Sequence, residues 1–291
     1  METIRVHEDV TLHHGDSRRV ISDVPTSSVS VCVTSPPFWG LRDYGAEAQI
    51  GLEDTMSQYV EELVGVFRSV RLALADDGTV WVNIGNCYGG MRGGVLSQPD
   101  NKQPHAAADT PPQAKRGTKR KQLMPAAWLF GIAMQEDGWY LRSDCIWYKP
   151  NVKPESVKDR PTRSHEYVLM FSKNARYHYD GEAVREASCD GGSRSRRTVW
   201  MIPTTPNKEE HYAAFPEALA DLCILAGSRP GGLVLDPFCG SGTTGLSAVK
   251  LGRRFVGIEL NREYLDIAYR RLRAASVTED DTFRGGVRDA G

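Results

Sequence analysis

The sequence predicts an α/β fold in which helices cross over between the strands of a largely parallel sheet. Short β-branched runs alternate along the chain with amphipathic segments of helical period. A glycine-rich loop over 240–245 separates one such run from the helix that follows it. With 291 residues, of which 40% are hydrophobic, the chain is large enough to bury one substantial core.

Each element follows from local signals in chain order. Strands are predicted from β-branched and apolar runs bounded by turn residues, over 29–34, 79–84, 145–148, 167–171, 233–235 and 255–258. Helices are predicted from apolar residues at helical spacing, over 55–78, 125–136, 216–226, 243–251 and 261–275. Thr55 with Gln58 forms the pattern of a capping box, and Asn261 is a suitable N-cap. Gly227 and Gly252 are expected to close their helices.

Two polar stretches interrupt this pattern. Over 85–122, Gly, Pro, Gln, Asn and Lys dominate and no hydrophobic period survives, which predicts a long flexible insertion. Residues 185–200 are again polar and basic. We therefore expect a single domain over 1–275 with insertions near 85–122 and 185–200, and a flexible tail over 276–291.

Composition limits the functional classes. The formal charge of −1 means that a nucleic-acid partner would have to be attracted by local basic patches, such as those over 115–121 and 194–197. The six cysteines stand singly without a CxxC pair, so we expect neither a structural metal site nor a disulfide framework. The charged N-terminus and the lack of a long apolar stretch predict a cytoplasmic protein with no membrane partner.

The glycine-rich loop is a candidate cofactor site. Residues 240–245 satisfy the pattern GxGxxG, and Glu259 ends the next predicted strand, where a ribose-binding acid is expected. A nicotinamide-dependent oxidoreductase is therefore one hypothesis. However, few residues remain beyond Glu259, so the rest of the sheet must come from upstream, which is unusual for a dehydrogenase.

The chemistry of the loop favours a ligand that carries both a negative and a positive group. Backbone N–H groups at the start of the helix from Thr243 suit a carboxylate, and Asp236 at the end of a strand suits an ammonium group. S-adenosylmethionine has such an amino-acid end, and its ribose hydroxyls suit Glu259. The residues alone leave open that Asp236 caps a turn and that the glycines only permit a tight connection.

The second candidate site follows the strand over 29–34. An exocyclic amino group of a nucleobase is a poor nucleophile, because its lone pair is delocalised into the ring. The side chain of Ser35 and the Pro36 carbonyl could accept its two hydrogens and localise that pair. Pro37 helps to fix the loop, and Phe38, with Trp39, offers a face for an extruded base. An ordinary proline turn with an aromatic plug is the alternative.

Together, the two motifs resemble those of the amino-group DNA methyltransferases. Ser35-Pro36-Pro37-Phe38 is similar to the catalytic motif of that family, and the sequence over 236–242 is similar to its cofactor motif. The catalytic motif comes first, as in the circularly permuted beta class. The resemblance continues through 146–151, 163–166 and 211–219, so that it covers nearly the whole chain.

The resemblance implies a fold, a cofactor and a partner. It implies a Rossmann-like methyltransferase sheet with permuted motif order and an inserted target-recognition region, S-adenosylmethionine as cofactor, and double-stranded DNA with a flipped base as substrate. Glu259 would bind the ribose and Asp16 the adenine of the cofactor. The residues around its methionyl part would be Thr34, Asp236, Phe238, Gly240, Gly242, Thr243 and Thr244. A monomer and a homodimer both remain open.

The first clamp residue indicates the target base. In the family, serine at the position of Ser35 mostly accompanies cytosine-N4 transfer, and adenine-N6 transfer remains the alternative. Carbon-5 methylation is disfavoured because no cysteine follows a proline. The sequence therefore predicts a site-specific DNA methyltransferase of the kind found in restriction–modification. An RNA methyltransferase and a noncatalytic DNA-binding protein are more distant rivals. We expect the basic segments to read the DNA or to be solvated linkers. We expect His165 and Glu166 to be structural or close to DNA.

Overall fold

The computed structural model describes residues 2–46, 48–89, 118–204 and 215–285, with side chains as far as residue 276. Its strands are β1 (Glu2–His7), β2 (Val10–His14), β3 (Val29–Thr34), β4 (Leu74–Ile84), β5 (Cys87–Tyr88), β6 (Leu123–Met124), β7 (Tyr140–Tyr148), β8 (His165–Ser172), β9 (Glu186–Ala187), β10 (Ser193–Arg194), β11 (Val199–Met201), β12 (Leu233–Asp236) and β13 (Arg254–Glu259). Its helices are α1 (Ser17–Val20), α2 (Met56–Ala73), α3 (Ala126–Glu136), α4 (Glu217–Gly227), α5 (Thr243–Lys250) and α6 (Arg262–Gly285).

A nine-stranded sheet organises the molecule, in the order β1-β2-β13-β12-β3-β4-β8-β7-β11. The five strands from β2 to β4 in this order are parallel to one another, whereas β1 and β8 are antiparallel to their neighbours. This mostly parallel sheet confirms the predicted α/β fold. The strand that precedes Ser35 pairs with β12 from the C-terminal part of the chain, which confirms the permuted order.

The β3–β12 boundary lies at the centre of the sheet. From β3 the chain crosses over to β4 on one side, and from β12 it crosses over to β13 on the other side. Loops that leave such a switch point diverge and open a crevice at the carboxyl ends of the strands. Both candidate motifs follow these two strands. The fold therefore places Ser35 and the loop over 237–242 at the same crevice.

Helices cover both faces of the sheet. On one face, α2 and α3 bury Tyr59, Leu63, Phe67 and Phe130 against β3, β4 and β8. On the other face, α4, α5 and α6 pack with a second buried cluster that includes Trp81 and Phe255. Each cluster removes large apolar side chains from water, the main favourable contribution to folding.

Most local signals correspond to observed structure. The capping box of Thr55 and Gln58 is present in full, and Gly252 has a φ of +67° after α5, as a C-terminal glycine should. Asn261 Oδ1 accepts hydrogen bonds from the backbone N–H groups of Glu263 and Tyr264. The prediction for Gly227 was wrong: this residue lies inside α4, and Ser228 is the C-cap.

Several element ends also differ from prediction. The helix α2 ends at Ala73, and β4 begins at once at Leu74, because Leu74 pairs with Val29 before the register shifts. The hairpin of β1 and β2 was missed, since no side chain of β1 is buried and its only apolar side chains are those of Ile4 and Val6. The final helix extends past the expected end near Ala275 to Gly285, because no glycine or proline interrupts 262–284.

The two predicted insertions are described to different extents. Residues 90–117 lie outside the described part of the chain, as do 286–291, so flexibility there stays a prediction. Within 185–200 the chain forms the hairpin of β9 and β10 and then β11, which pairs with β7. Within the described ranges, we find no helix with the length and apolar character required to cross a membrane.

Candidate cofactor and substrate site

Asp236 is the buried acid at the end of β12. Its carboxylate accepts hydrogen bonds from the hydroxyls of Thr34 and Thr244, both at 2.6 Å, and from the N–H of Phe238 at 3.0 Å. Burial raises the pKa of Asp236 to about 6, although these three donors oppose the shift. The carboxylate is thus held in one orientation. None of these three described donors carries a positive charge.

The loop after Asp236 turns through two left-handed glycines. Gly240 has a φ of +53° and Gly242 a φ of +84°, a region that favours glycine. A Cβ on Gly240 would meet nothing closer than 4.0 Å, so its Cα faces open space. At Gly242 a Cβ would lie 3.1 Å from the Cβ of Ala268, so this glycine allows the loop to pack on α6.

Glu259 ends β13 beside this loop. Its two carboxylate oxygens accept hydrogen bonds from the N–H groups of Gly240 and Asn261, each at 2.7 Å. Burial is the main cause that raises the pKa of Glu259 to about 7, and Asp236 adds to the shift through charge repulsion. Each oxygen retains a lone pair that can accept a further hydrogen bond from a ligand.

Asp16 follows β2 and caps the short helix α1. Its Oδ1 accepts a hydrogen bond from the N–H of Arg18 at 3.0 Å, and the Arg18 guanidinium forms an ion pair with Asp16 Oδ2 at 2.6 Å. Burial acts to raise the pKa of Asp16, but these contacts outweigh it and lower the pKa. The same guanidinium reaches Glu62 of α2 at 2.6 Å, so Asp16 is also part of the structural support of this corner.

One cavity of about 990 Å³, including its open mouth, joins the two sequence motifs. The predicted site residues that line it are Asp16, Ser35, Pro37, Asp236, Phe238, Gly240, Thr243, Thr244 and Glu259. Thr34, Pro36, Phe38 and Gly242, which were also predicted, are not among the residues that line it.

The clamp loop is fixed from several sides. The hydroxyl of Ser35 donates a hydrogen bond to Oδ1 of Asn83 at 3.2 Å, and the hydroxyl of Tyr59 donates to the Pro37 carbonyl at 2.9 Å. The ring of Phe38 lies so close to Gly85 that a Cβ there would be 2.8 Å from it. Trp39 is buried and its Nε1 donates to the carbonyl of Glu53, so the prediction that its ring could face a base was wrong.

Aromatic residues that the sequence did not indicate complete the cavity wall. Tyr44 and Tyr264 contact each other edge to face, with ring centroids 5.8 Å apart. Asn261, the cap of α6, donates a hydrogen bond from Nδ2 to the Tyr44 carbonyl at 3.1 Å. Phe215 also lines the cavity, and it falls within the stretch 211–219 that carried part of the resemblance; 211–214 lie outside the described residues.

The basic segments engage partners within the chain. Arg194 and Arg197 both pair with Glu186, and Arg196 donates to the carbonyl of Val184 at 2.6 Å. Lys121 pairs with Asp159, whereas 115–117 lie outside the described residues. Their part in DNA binding stays a prediction. Of four tryptophans outside the clamp, Trp81, Trp139 and Trp200 are buried, whereas Trp128 is 50% exposed.

Comparison with known proteins relates this site to one group of enzymes. A family model described as DNA methylase, of the N6/N4 methyltransferase type, matches residues 29–270. The Type II methyltransferase M.Cfr9I of Citrobacter freundii is 52% identical over 263 residues, covering 90% of this chain and 87% of that protein.

Solved structures agree with the fold. The PvuII DNA methyltransferase, described as cytosine-N4-specific, aligns with a TM-score of 0.68 at 22% identity, covering 91% of this chain and 86% of that chain. A DNA modification methylase homologue from Thermus thermophilus, TTHA0409, complexed with S-adenosyl-L-methionine, aligns with a TM-score of 0.62 at 26% identity, covering 91% and 95%.

Proposed function

This chain belongs to the N6/N4 DNA methylase family and uses S-adenosylmethionine, and on that premise we propose that it methylates the exocyclic N4 of cytosine at a specific site in double-stranded DNA. The observation that carries the proposal is the shared cavity of Ser35 and the loop around Gly240. A methyl donor on one loop and an amino group on the other would meet there. Serine in the first clamp position favours cytosine over adenine.

The cavity suits the charges and shape of the cofactor. S-adenosylmethionine supplies a methyl group activated by a sulfonium, and it also carries an ammonium, a carboxylate and ribose hydroxyls. In our proposal, Asp236 faces the cationic methionyl end, since its buried carboxylate gains a counter-charge there. Glu259 accepts from the ribose hydroxyls, and the N–H groups at the start of α5 face the carboxylate. The open side of Gly240 lets the ligand approach the backbone.

The clamp acts on the base. Ser35 Oγ and the Pro36 carbonyl accept the two hydrogens of the amino group, which favours tetrahedral geometry at nitrogen as it attacks the methyl carbon. The ring of Phe38 supports the extruded base. The bound cofactor would supply its methyl group directly to that nitrogen, with the neutral thioether as leaving group, so that no covalent bond to the protein would form. The proton that the methylated nitrogen carries in excess would pass to solvent water.

Two rivals differ in measurable ways. An adenine-N6 enzyme would use the same cavity, because a hydroxyl accepts from either amino group. A nicotinamide enzyme is less compatible with the buried carboxylate of Asp236 beneath the loop, since pyrophosphate would add negative charge there. Thermal shift with each cofactor separates the second rival, because only a ligand of the folded state raises the melting temperature.

Transfer of a labelled methyl group tests the target base. The protein is incubated with methyl-labelled S-adenosylmethionine and unmethylated DNA of mixed sequence, and the DNA is digested to nucleosides. We expect the label in N4-methyldeoxycytidine. Label in N6-methyldeoxyadenosine would overturn the cytosine assignment, and transfer only in a parallel incubation with RNA would overturn the DNA assignment. Ser35→Ala serves as the control that links transfer to this site.

A further inference from the structure

A row of polar side chains crosses four neighbouring strands beside the cavity. Ser35 follows β3, Asn83 lies in β4, Glu166 in β8, and Lys149 follows β7. The Ser35 hydroxyl lies 3.2 Å from Asn83 Oδ1, and Asn83 Nδ2 lies 3.1 Å from Glu166 Oε2. Glu166 Oε1 accepts an ion-paired hydrogen bond from Lys149 Nζ. Only Ser35 among these four lines the cavity.

The chemistry of the row fixes which atom donates to which. Lysine can only donate and an ionised carboxylate can only accept, so Glu166 must receive its bond from the amide nitrogen of Asn83. The carbonyl of Tyr167 also accepts from this nitrogen, at 3.2 Å, which excludes the flipped amide. Asn83 therefore turns its oxygen toward Ser35. The Ser35 hydroxyl must donate to that oxygen, and its lone pairs remain free for another donor.

We propose that Asn83, Glu166 and Lys149 are positioning residues that hold Ser35 as a hydrogen-bond acceptor for the amino group of the target base. The inference rests on the proposed function, in which Ser35 contacts that amino group. Without the row, the hydroxyl could rotate and present its hydrogen to the substrate. Two donors would then face each other, and the nitrogen lone pair would stay delocalised.

The far end of the row is anchored in the second buried cluster. Lys149 Nζ lies 4.0 Å from the ring centroid of Trp147, and Trp147 Nε1 donates to the carbonyl of Ile202 at 2.8 Å. The side chains of Lys149 and Glu166 are each 16% exposed, and Asn83 is buried. A buried ion pair is costly to desolvate and adds little net stability. We therefore assign this ion pair a role in orienting Asn83, because a contribution to stability does not account for it.

Exchange of the acid and the amide tests this order of donors. Glu166→Gln has one oxygen for two donors, so its amide nitrogen must face either the Asn83 amide nitrogen or the Lys149 ammonium group. Asn83→Asp places a second carboxylate against Glu166. We expect either change to lower the single-turnover rate of methyl transfer about tenfold to a hundredfold, the range typical for residues that orient a directly acting group. The double variant Asn83→Asp/Glu166→Gln again pairs a donor with an acceptor, although in the reverse direction, and it restores the net charge. An oxygen still faces Ser35, so we expect the double variant to transfer faster than either single variant.

Controls separate positioning from folding and from binding. Glu2→Gln makes the same change in an exposed ion pair with Arg262, at the opposite edge of the sheet, and should keep the native rate. Cofactor affinity and melting temperature are measured for every variant. We expect cofactor affinity to stay within about twofold, because neither Asn83 nor Glu166 lines the cavity.

The outcomes are distinct. Lower rates in both single variants, with recovery in the double variant, support the proposal. Native rates in the single variants, or a double variant slower than either, overturn it. If the native protein itself transfers no methyl group to DNA, the proposed function fails instead, which is a separate result.

Discussion

At the scale of single residues, the site depends on two carboxylates that the fold makes unusually easy to protonate. Burial raises the pKa of Asp236 to about 6 and that of Glu259 to about 7. Because the unfolded chain ionises these groups at lower pH, they reduce the stability of the ligand-free protein as pH rises through this range. A cationic ligand favours the ionised form, so we infer that cofactor binding offsets this cost.

Cofactor affinity should therefore depend on pH. As pH falls from 7 to 5, both carboxyls become protonated: Asp236 loses its attraction for the cationic end, and Glu259 loses the charge that strengthens its hydrogen bonds from the ribose hydroxyls. We therefore expect the dissociation constant to rise at least about tenfold over this range. Calorimetric titration with S-adenosylmethionine across this range measures the effect. Glu259→Gln should flatten the upper part of the profile. An affinity that is constant over the range would contradict the assignment of these carboxylates.

Ser35 gives a second prediction at this scale. Removal of its hydroxyl in Ser35→Ala takes away an acceptor that acts mainly in the transition state. We expect the transfer rate to fall about a hundredfold, with the cofactor dissociation constant changed less than about twofold. Single-turnover kinetics and equilibrium binding measure the two quantities separately. Equal losses in both would count against a role in the clamp.

The sequence predicted some site residues better than others. The place of Asp236, Glu259 and Ser35 at one cavity was predictable because each ends or directly follows a recognisable strand, and strand ends meet at one edge of a parallel sheet. Tyr44 and Tyr264 were not predictable, because no local pattern marks a loop residue that packs on a distant helix. The prediction for Trp39 was wrong because aromatic character alone does not distinguish a buried ring from an exposed one.

At the scale of elements, the approach of α4 to the sheet depends on a glycine. A Cβ at Gly227 would lie 2.6 Å from Val31 Cγ2 and 2.7 Å from Thr79 Oγ1, so the last turn of α4 rests directly on β3 and β4. These distances are shorter than real contacts allow. The close approach explains why glycine occurs at this position even though the residue remains helical.

Alanine substitution of two helical glycines should change the free energy of unfolding in opposite directions. Gly227→Ala should destabilise the protein by about 1–3 kcal/mol through overpacking. Gly65→Ala, in α2, meets nothing within 4 Å and should stabilise by about 0.5–1 kcal/mol. Urea unfolding of each variant measures the change. A Gly227→Ala protein as stable as the native one would show that α4 can shift freely on the sheet.

Element boundaries show where sequence patterns stop being informative. The interior of α2 was predictable from its apolar period and its capping box. Its end was not, because Leu74 has the same apolar character whether it closes a helix or begins a strand. The strands β1 and β9 to β11 were missed because they are short or exposed and have little apolar alternation.

At the scale of the whole molecule, the chain order and the spatial order of the strands differ. The clamp strand β3 comes early in the chain and β12 late, yet they are paired at the centre of the sheet. This arrangement resolves the problem of the few residues beyond Glu259, because the N-terminal part of the chain supplies the strands that complete the sheet. The pairing of β3 with β12 could be predicted from the sequence only through the family resemblance, because local patterns do not specify pairing between distant strands.

The most direct test of the account is methylation-sensitive sequencing of DNA from cells that express this chain, beside cells that express Ser35→Ala. We predict N4-methylcytosine at one recurring sequence in the first sample and none there in the second. Methylation on adenine, or an unchanged pattern with Ser35→Ala, would contradict the claim that the clamp and the cofactor loop meet to methylate cytosine.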